Sequence, residues 1–211
     1  MRPLTEKTPK PLLQVANKPL IEHHLVRLAA AGFNDIIINV AYLGEQIIQA
    51  LGNGERWGCR IHYSREHSPL ETAGGILHAG TLLGEDPFVL INGDVWTDYP
   101  LKTLRKKILA NDTRGHLVLT NNPEHNPEGD FSIADNHRLI HKQIPNYTYS
   151  GISLIDPQLI QHYPRKQESF PLGEVFRDAI DKQLLSAELY EGEWVDVGTV
   201  ERLNQLNNKL K

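Results

Sequence analysis

Cysteine is almost absent from this sequence of 211 residues, in which Cys59 is the single example. One cysteine excludes an internal disulfide and a zinc site built from several thiolates. No stretch approaches the roughly 18 to 20 consecutive apolar residues that a membrane-spanning helix requires. The first residues are charged and rich in proline, so they lack the apolar segment of a secretory signal. These absences predict a cytoplasmic protein that does not bind a membrane.

An excess of positive charge is also missing, because 22 lysine and arginine residues stand against 26 aspartate and glutamate residues. The net charge of −4 argues against a nucleic-acid-binding surface, which needs a basic patch. The ten histidines lack the spacing of zinc-binding motifs, and we interpret them as surface residues. No Gly-x-Ser-x-Gly segment indicates a nucleophilic serine. The basic residues of a predicted helix at 99–110 are interpreted as a solvated face.

Strand-like and helix-like segments alternate over residues 17–120. A helix capped by Asn17, with Pro19 in its first turn, is predicted to end at Gly32. The segments that follow predict a strand at 36–40, a helix at 43–51, a strand at 60–64, a helix at 73–83 and a strand at 88–92. This order predicts a Rossmann-like, doubly wound α/β sheet, whose ligands bind beyond the carboxyl ends of the strands.

The second half of the chain is richer in short strands. Strands are predicted at 115–121, 130–134, 138–142 and 148–155, and helices at 169–182 and 199–209. We expect a mixed sheet that continues the first one. Because no linker or internal repeat divides the sequence, it predicts one domain over residues 1–211, with a first half at 1–120 and a second half at 121–211.

Prolines stiffen the basic segment before the first predicted helix. Pro9 and Pro11 flank Lys10, and because proline fixes φ, they restrict where the lysine can lie. A positioned lysine is a point charge suited to a phosphate. The alternative is an exposed basic loop without a ligand, which is the commoner situation for such a segment taken alone.

Two aspartates follow predicted strand ends. Asn92-Gly93-Asp94 comes after the strand at 88–92, and Asp196 lies just before the helix that starts near Thr199. Mg²⁺ typically takes one or two carboxylates and completes its coordination with phosphates and water. The alternatives are an ordinary turn at Asp94, and a helix N-cap formed by Asp196 or Thr199.

A glycine-containing turn, Glu71-Thr72-Ala73-Gly74-Gly75, opens the helix predicted at 73–83. Backbone N–H groups at such a turn can bind a phosphate or the polar edge of a base. Many helices begin after similar residues, so this pattern alone does not separate a ligand site from an ordinary helix start.

Taken in order, these segments resemble the nucleotidyltransferase family that joins sugar-1-phosphates to nucleoside triphosphates. The resemblance runs over essentially the whole chain and is carried by Met1-Arg2-Pro3-Leu4-Thr5, Pro9-Lys10-Pro11-Leu12, Lys18-Pro19-Leu20-Ile21, Asn92-Gly93-Asp94, Ser150-Gly151-Ile152 and Trp194-Val195-Asp196-Val197-Gly198-Thr199. It implies that an oxygen of the sugar-1-phosphate attacks the α-phosphorus of the nucleotide and that pyrophosphate leaves. It also implies a monomer or homodimer.

The resemblance implies a role for individual residues. Asp94 and Asp196 would hold Mg²⁺, and Lys10 would stabilise the α-phosphate. The residues implied to bind the nucleotide are Arg2, Lys10, Glu71, Gly74, Asn92 and Gly93, and those implied to lie near the sugar are Asp130, Lys142 and Gly151.

Within the family, the chain most resembles the branch that transfers a uridylyl group from UTP to N-acetylmuramate-1-phosphate during recycling of the bacterial cell wall. The similar segments are Leu70–Gly75, Gly93–Asp98 and Asn122–Phe131. The left-handed β-helix of many relatives is not expected here. The alternatives are a mannose-1-phosphate guanylyltransferase and a relative that binds a sugar nucleotide without turnover.

One segment of the family pattern does not occur in the sequence. Relatives carry Leu-Ala-Ala-Gly-x-Gly-x-Arg before the segment that corresponds to Met1, and it forms their first strand and main phosphate loop. Without it we expect a sheet that lacks an interior strand, at a cost of about 1 to 3 kcal/mol for each buried ladder group left unpaired. Either the working protein is longer, which we favour, or the chain is a catalytically impaired short form.

Overall fold

The computed structural model of the chain describes Met1 and residues 3–211. Its strands, in chain order, are β1 (Gln14–Val15), β2 (Lys18–Pro19), β3 (Asp35–Val40), β4 (Arg60–Arg65), β5 (Phe88–Ile91), β6 (Val95–Thr97), β7 (Gly115–Thr120), β8 (Phe131–Ile133), β9 (Leu139–His141), β10 (Thr148–Ile155), β11 (Leu185–Tyr190) and β12 (Trp194–Asp196). Its helices are α1 (Leu4–Lys7), α2 (Leu20–Ala31), α3 (Gly44–Leu51), α4 (Glu71–His78), α5 (Gly80–Leu83), α6 (Lys102–Lys106), α7 (Gln158–Gln161), α8 (Leu172–Asp181) and α9 (Val200–Lys209), with 3₁₀ turns at Lys10–Leu12 and Glu55–Trp57. This mixture of strands and helices confirms the predicted α/β class.

Packing divides the chain into two units. The first contains Met1–Pro69, Asn92–Arg105 and Glu193–Lys211, and the second contains Leu70–Ile91 and Lys106–Gly192. The units therefore interleave along the sequence. Across the described parts of both units, no helix is long and apolar enough to cross a bilayer.

The first unit contains a parallel strand pair packed against helices. β3 and β4 pair from Asp35 opposite Arg60 to Val40 opposite Arg65. Apolar side chains from the pair and from α2 and α3 share one core, which contains Ile21, Leu25, Val40, Ile47, Leu51 and Ile61. Full burial of such side chains contributes roughly 1.5 to 3 kcal/mol each, so this core fixes α2 on the strands.

The start of α2 differs from the prediction, because Asn17 does not cap it. Ala16 and Asn17 have φ values of 47° and 63° and form the two-residue turn between β1 and β2. Turns of this kind need positive φ at both positions, and asparagine tolerates that conformation better than most residues. The helix instead begins at Leu20 after Pro19, and it ends at Gly32, as predicted, with a φ of 88°.

The second unit contains a four-stranded mixed sheet. The strand order is β11-β7-β10-β5, with β11 parallel to β7 and β10 antiparallel to both of its neighbours. All six residues of β7 are buried. Apolar residues of α8, including Val175 and Phe176, share a core with Leu117 and Leu119 of that strand. Because β7 lies between β11 and β10, both its apolar residues and its polar residues His116 and Thr120 are buried.

Strand β5 lies at an open edge of this sheet. It pairs with β10 from Phe88 opposite Ile155 to Ile91 opposite Ile152, and it has no second strand partner among the described residues. Its four side chains are only partly buried. The backbone groups along an open edge must be satisfied by water or by another strand.

Two predicted helices have the wrong extent. The helix predicted at 73–83 is interrupted at Ala79, which separates α4 from α5. The helix predicted at 99–110 is reduced to α6, of which Leu104 is the one buried residue. A helix without an apolar stripe gains little from packing, so nothing extends α6 further. The strands predicted at 36–40, 60–64 and 88–92 are confirmed within a residue or two.

Candidate active site

Asp94 occupies a tight turn that leads into β6. The N–H of Val95 donates to the carbonyl oxygen of Asn92 at 3.3 Å, which closes the turn over Gly93 and Asp94. A Cβ added to Gly93 would lie 3.7 Å from Pro11, an ordinary contact. Space alone therefore does not require glycine at this position.

Pairing of β6 with β12 brings the two aspartates to neighbouring strands. Asp196 lies opposite Val95 in the antiparallel ladder, and the N–H of Val197 donates to the carbonyl oxygen of Asp94 at 2.8 Å. The apolar residues Val195 and Val197 hold this ladder on the core that includes Leu203 and Leu206 of α9. Two carboxylates that are distant in the sequence thus belong to adjacent backbone positions of one unit.

Lys10 is fixed on Asp94. Its Nζ donates to Asp94 Oδ2 at 2.7 Å, and the side chains are 27% and 39% exposed. Pro9 precedes the 3₁₀ turn that Lys10 opens, with a φ of −61°. The structure therefore favours a positioned lysine over the exposed loop that the sequence alone left open.

Arg202 lies beside Asp196, with Nη1 3.1 Å from Oδ2. The hydroxyl of Thr199 accepts a hydrogen bond from the N–H of Arg202 at 3.1 Å and caps α9. Of the two residues proposed as caps, Thr199 therefore fills that role, while Asp196 is the last residue of β12. Sequence analysis did not select Arg202, because an arginine in the first turn of a helix carries no pattern of its own.

The two carboxylates fit a hard divalent cation that completes its coordination with substrate. Asp94 and Asp196 offer oxygen donors only, the ligand type that Mg²⁺ prefers. In the described part of the chain, no three or more histidine, cysteine, aspartate or glutamate side chains are grouped so that they could hold a metal ion. Such a site matches an ion that uses one or two protein carboxylates and takes its remaining ligands from phosphates and water.

His24 is buried behind this turn, contrary to the prediction that the histidines lie on the surface. Its side chain lies on α2, is 7% exposed and hydrogen-bonds to the backbone of Val95. Burial lowers the pKa of the imidazole from 6.5 to about 4, against the smaller opposing effect of that bond. His116 of β7 is buried as well, between Ser186 and Glu188. The position of His24, four residues after buried Leu20, is the signal that could have found it.

Glu71 and Gly74, predicted to bind the nucleotide, belong to α4 of the second unit. Glu71 is exposed and has a φ of 57°. A Cβ at Gly74 would lie 2.4 Å from the carbonyl oxygen of Glu168, and its N–H donates to the carbonyl oxygen of Phe170 at 3.3 Å. Close packing against the backbone of Glu168 and Phe170 is enough to explain a glycine at position 74. The contact of Gly74 with a base stays a prediction.

The residues predicted to lie near the sugar also belong to the second unit. Asp130 accepts hydrogen bonds from the N–H of Tyr149 at 2.8 Å and from Asn126 at 3.3 Å. Lys142 pairs with exposed Glu128 at 3.0 Å. Gly151 has a φ of 77° where the pairing of β10 with β7 shifts register, so a bulge explains this glycine. Arg2, also predicted to bind the nucleotide, lies outside the described residues.

Comparison with known protein structures supports the fold. A putative glucose-1-phosphate thymidylyltransferase from Bacillus anthracis, solved in complex with a sucrose, superposes with a TM-score of 0.86 at 20% identity, over 100% of this chain and 89% of that one. HddC from Yersinia pseudotuberculosis, solved with GMP-PN, gives a TM-score of 0.79 at 20% identity, over 97% and 91% of the two chains. The chain thus has the nucleotide-diphospho-sugar transferase fold.

Sequence comparison supports a family assignment. The N-acetylmuramate alpha-1-phosphate uridylyltransferase of Neisseria meningitidis serogroup B is 43% identical over 97% of this chain and 90% of its own length. A mannose-1-phosphate guanyltransferase of Aspergillus fumigatus is 35% identical over 94% of this chain, which spans 57% of the fungal protein. The family model described as Nucleotidyl transferase matches residues 1–211. Because the family model covers the whole sequence and the Neisseria relative is matched over nearly its full length, the chain belongs to the nucleotidyl transferase family and is a transferase.

Proposed function

We propose that this sugar-1-phosphate nucleotidyltransferase transfers a uridylyl group from UTP to N-acetylmuramate-1-phosphate and releases pyrophosphate. The observation that carries the proposal is the 43% identity, over nearly the whole chain, with the Neisseria uridylyltransferase. The reaction returns a cell-wall sugar to its nucleotide-activated form, and we place it in the cytoplasm.

The reaction needs charge neutralisation more than acid–base chemistry. The attacking phosphate oxygen is already ionised, so no general base has to remove a proton. The remaining barrier comes from bringing two polyanions together in line, which positioned cations and hydrogen-bond donors lower. A site in which Lys10 contacts Asp94, with Asp196 on the neighbouring strand, suits such a reaction.

Each candidate site residue of the first unit has a separate role in this proposal. Asp94 and Asp196 hold Mg²⁺, which when bound neutralises charge on the phosphate oxygens. Lys10 Nζ hydrogen-bonds to the Asp94 carboxylate in this structure, so a phosphate group held at Asp94 would lie within reach of the lysine. The turn at Asn92 and Gly93 fixes the direction of the Asp94 side chain.

A mannose-1-phosphate guanylyltransferase is the second candidate. It is favoured by the 35% identity with the Aspergillus enzyme, although this chain spans only 57% of that protein. The two candidates differ in the base and the sugar, whereas the chemistry at phosphorus is the same. They are therefore separable by substrate choice.

Pyrophosphate release tests the proposal. The protein is incubated with Mg²⁺, each of the four common nucleoside triphosphates and the 1-phosphates of N-acetylmuramate, N-acetylglucosamine, glucose and mannose. Release with UTP and N-acetylmuramate-1-phosphate, and with no other pair at comparable rate, is the expected result. Preference for GTP with mannose-1-phosphate would establish the second candidate, and release from no pair would contradict catalysis by this chain.

A further inference from the structure

The guanidinium of Arg202 is enclosed beside a carboxylate that the proposed function assigns to the metal. Its side chain is 20% exposed, and that of Asp196 is 27% exposed. Nε and Nη1 are shielded from water and have no hydrogen-bond partner within the described residues, although Nη1 lies 3.1 Å from Asp196 Oδ2. The contact is thus an ion pair without good hydrogen-bond geometry.

Gly198 leaves room for this arrangement. A Cβ at Gly198 would lie 2.0 Å from Nη2 of Arg202, a distance that no real structure tolerates. The guanidinium therefore fills the space where a side chain at position 198 would be. A glycine here has a specific reason, which is the close approach of Arg202 to the backbone between β12 and α9.

The arrangement at Asp196 parallels the one at Asp94. Each aspartate has a basic side chain on its carboxylate, Lys10 at 2.7 Å and Arg202 at 3.1 Å. A cation at that distance lowers the affinity of a carboxylate for a second cation, because the two compete for the same negative charge. Guanidinium nitrogens that are shielded from water without a hydrogen bond also cost free energy. Arg202 would therefore gain by leaving Asp196 for an anion that accepts hydrogen bonds from it.

We propose that Arg202 competes with the divalent cation for Asp196 and is a positioning residue of the metal site. In the metal-free protein the guanidinium neutralises Asp196 and fixes its orientation. On binding of a metal–nucleotide complex, Asp196 would hold the metal and Arg202 would be free to pair with a phosphate oxygen, because guanidinium groups pair well with phosphates. The inference rests on the proposed metal site, and it predicts weak binding of the metal alone.

Binding of Mn²⁺ in the absence of nucleotide tests this inference. Mn²⁺ is a paramagnetic substitute for Mg²⁺, and its free concentration is read from its electron paramagnetic resonance signal. Arg202→Met should bind Mn²⁺ about two- to fivefold more tightly than the unmodified protein, the range expected when a partly exposed ion pair is removed. Unchanged or weaker affinity in Arg202→Met would overturn the inference, because a purely supporting role predicts looser binding.

A second variant separates Asp196 from the guanidinium without removing the arginine. Gly198→Ala should displace the guanidinium and also tighten Mn²⁺ binding, and Asp196 Oδ2, 3.1 Å from the new methyl group, must then move by a few tenths of an ångström. If thermal unfolding shows that Arg202→Met does not fold, the Mn²⁺ affinity of Gly198→Ala tests the inference in its place. No gain in affinity in a folded Gly198→Ala would overturn the inference.

Two controls separate this inference from the proposed function. Arg60→Met removes the same charge from the first unit at an exposed pair with Asp35, so its Mn²⁺ affinity should equal that of the unmodified protein. A gain in Arg60→Met equal to that in Arg202→Met would reduce the effect to net charge and overturn the inference. Asp196→Asn, combined with Arg202→Met, should lose the Mn²⁺ affinity that Arg202→Met gains in the absence of nucleotide. If the double variant retains that affinity, the metal assignment fails, whatever the single arginine variant does.

Discussion

Single side chains determine the charge of the candidate site. Asp94 is held by a backbone turn on one side and by Lys10 on the other, and His24 supports the same turn from the interior through the backbone of Val95. Lys10 and Asp94 are partly exposed, and His24 is buried. Changes at the exposed residues should therefore alter catalysis, whereas a change at the buried residue should alter stability.

Asp94→Asn should reduce Mg²⁺-dependent pyrophosphate release by about 10²- to 10³-fold, the usual loss when one preorganised electrostatic group is removed. The free energy of unfolding should change by no more than about 1 kcal/mol, because the ion pair with Lys10 is 27% and 39% exposed. Asp35→Asn, at an exposed pair in the same unit, is the matched control and should retain full turnover. Undiminished release in Asp94→Asn would refute the metal assignment.

His24 should make the protein less stable in mild acid. Because its pKa is about 4 in the folded chain and 6.5 in the unfolded chain, the unfolded chain binds more protons between these pH values. Stability is therefore lost as pH falls from 6.5 towards 4, with a loss of about 2 kcal/mol between pH 7 and pH 5. The free energy of unfolding in urea, measured at pH 7 and at pH 5, gives the size of this loss. His24→Gln should remove this part of the decrease, and an identical decrease in the variant would show that His24 does not cause it.

At the level of elements, close backbone packing explains glycines that look like ligand contacts in the sequence. Gly74 and Gly151 both belong to segments predicted to touch substrate, yet one packs against Glu168 and the other forms a bulge in β10. Neither observation excludes a ligand nearby. Substitution there should nevertheless affect the folding of α4 and β10 before it affects binding.

Gly74→Ala should lower the free energy of unfolding by about 1 to 3 kcal/mol, the usual cost of overpacking. The backbone of Glu168, 2.4 Å from the added Cβ, cannot move away as a side chain could. Gly80→Ala is the control, since nothing lies within 4 Å of a Cβ there and alanine favours a helix by about 0.5 to 1 kcal/mol. Thermal unfolding of the two variants should give changes of opposite sign.

The sequence predicts elements well where apolar residues are continuous or where glycine ends a helix. β3 and the end of α2 at Gly32 are examples. No strand is predicted at β11, although Leu185, Ala187 and Leu189 alternate with polar residues there, and the turn at Asn17 is interpreted as a helix cap. At the site, Asp94 and Asp196 are predictable as residues at strand ends. The position of Arg202 is not predictable, because its surroundings come from distant segments, and the burial of His24 is indicated only by its spacing from Leu20 on α2.

For the whole molecule, the second unit should be most stable at the centre of its sheet. β7 lies between two strands and is buried throughout, whereas β5 has one strand neighbour within the described chain. Amide hydrogen exchange should be slowest in β7, near the limit set by global unfolding, and faster by at least about tenfold at those β5 amides that do not donate to β10. Equal protection along both strands would indicate that the open edge of β5 is covered.

The interleaving of the two units affects the order in which a ribosome supplies the parts of the site. Lys10 and Asp94 are synthesised early, but Asp196 and its strand β12 follow only after nearly all of the second unit. The ladder between β6 and β12 cannot form before then. A nascent chain thus completes the sheet of the second unit while it still has a single candidate aspartate, so under the proposed function a product of interrupted translation would be folded in part but inactive.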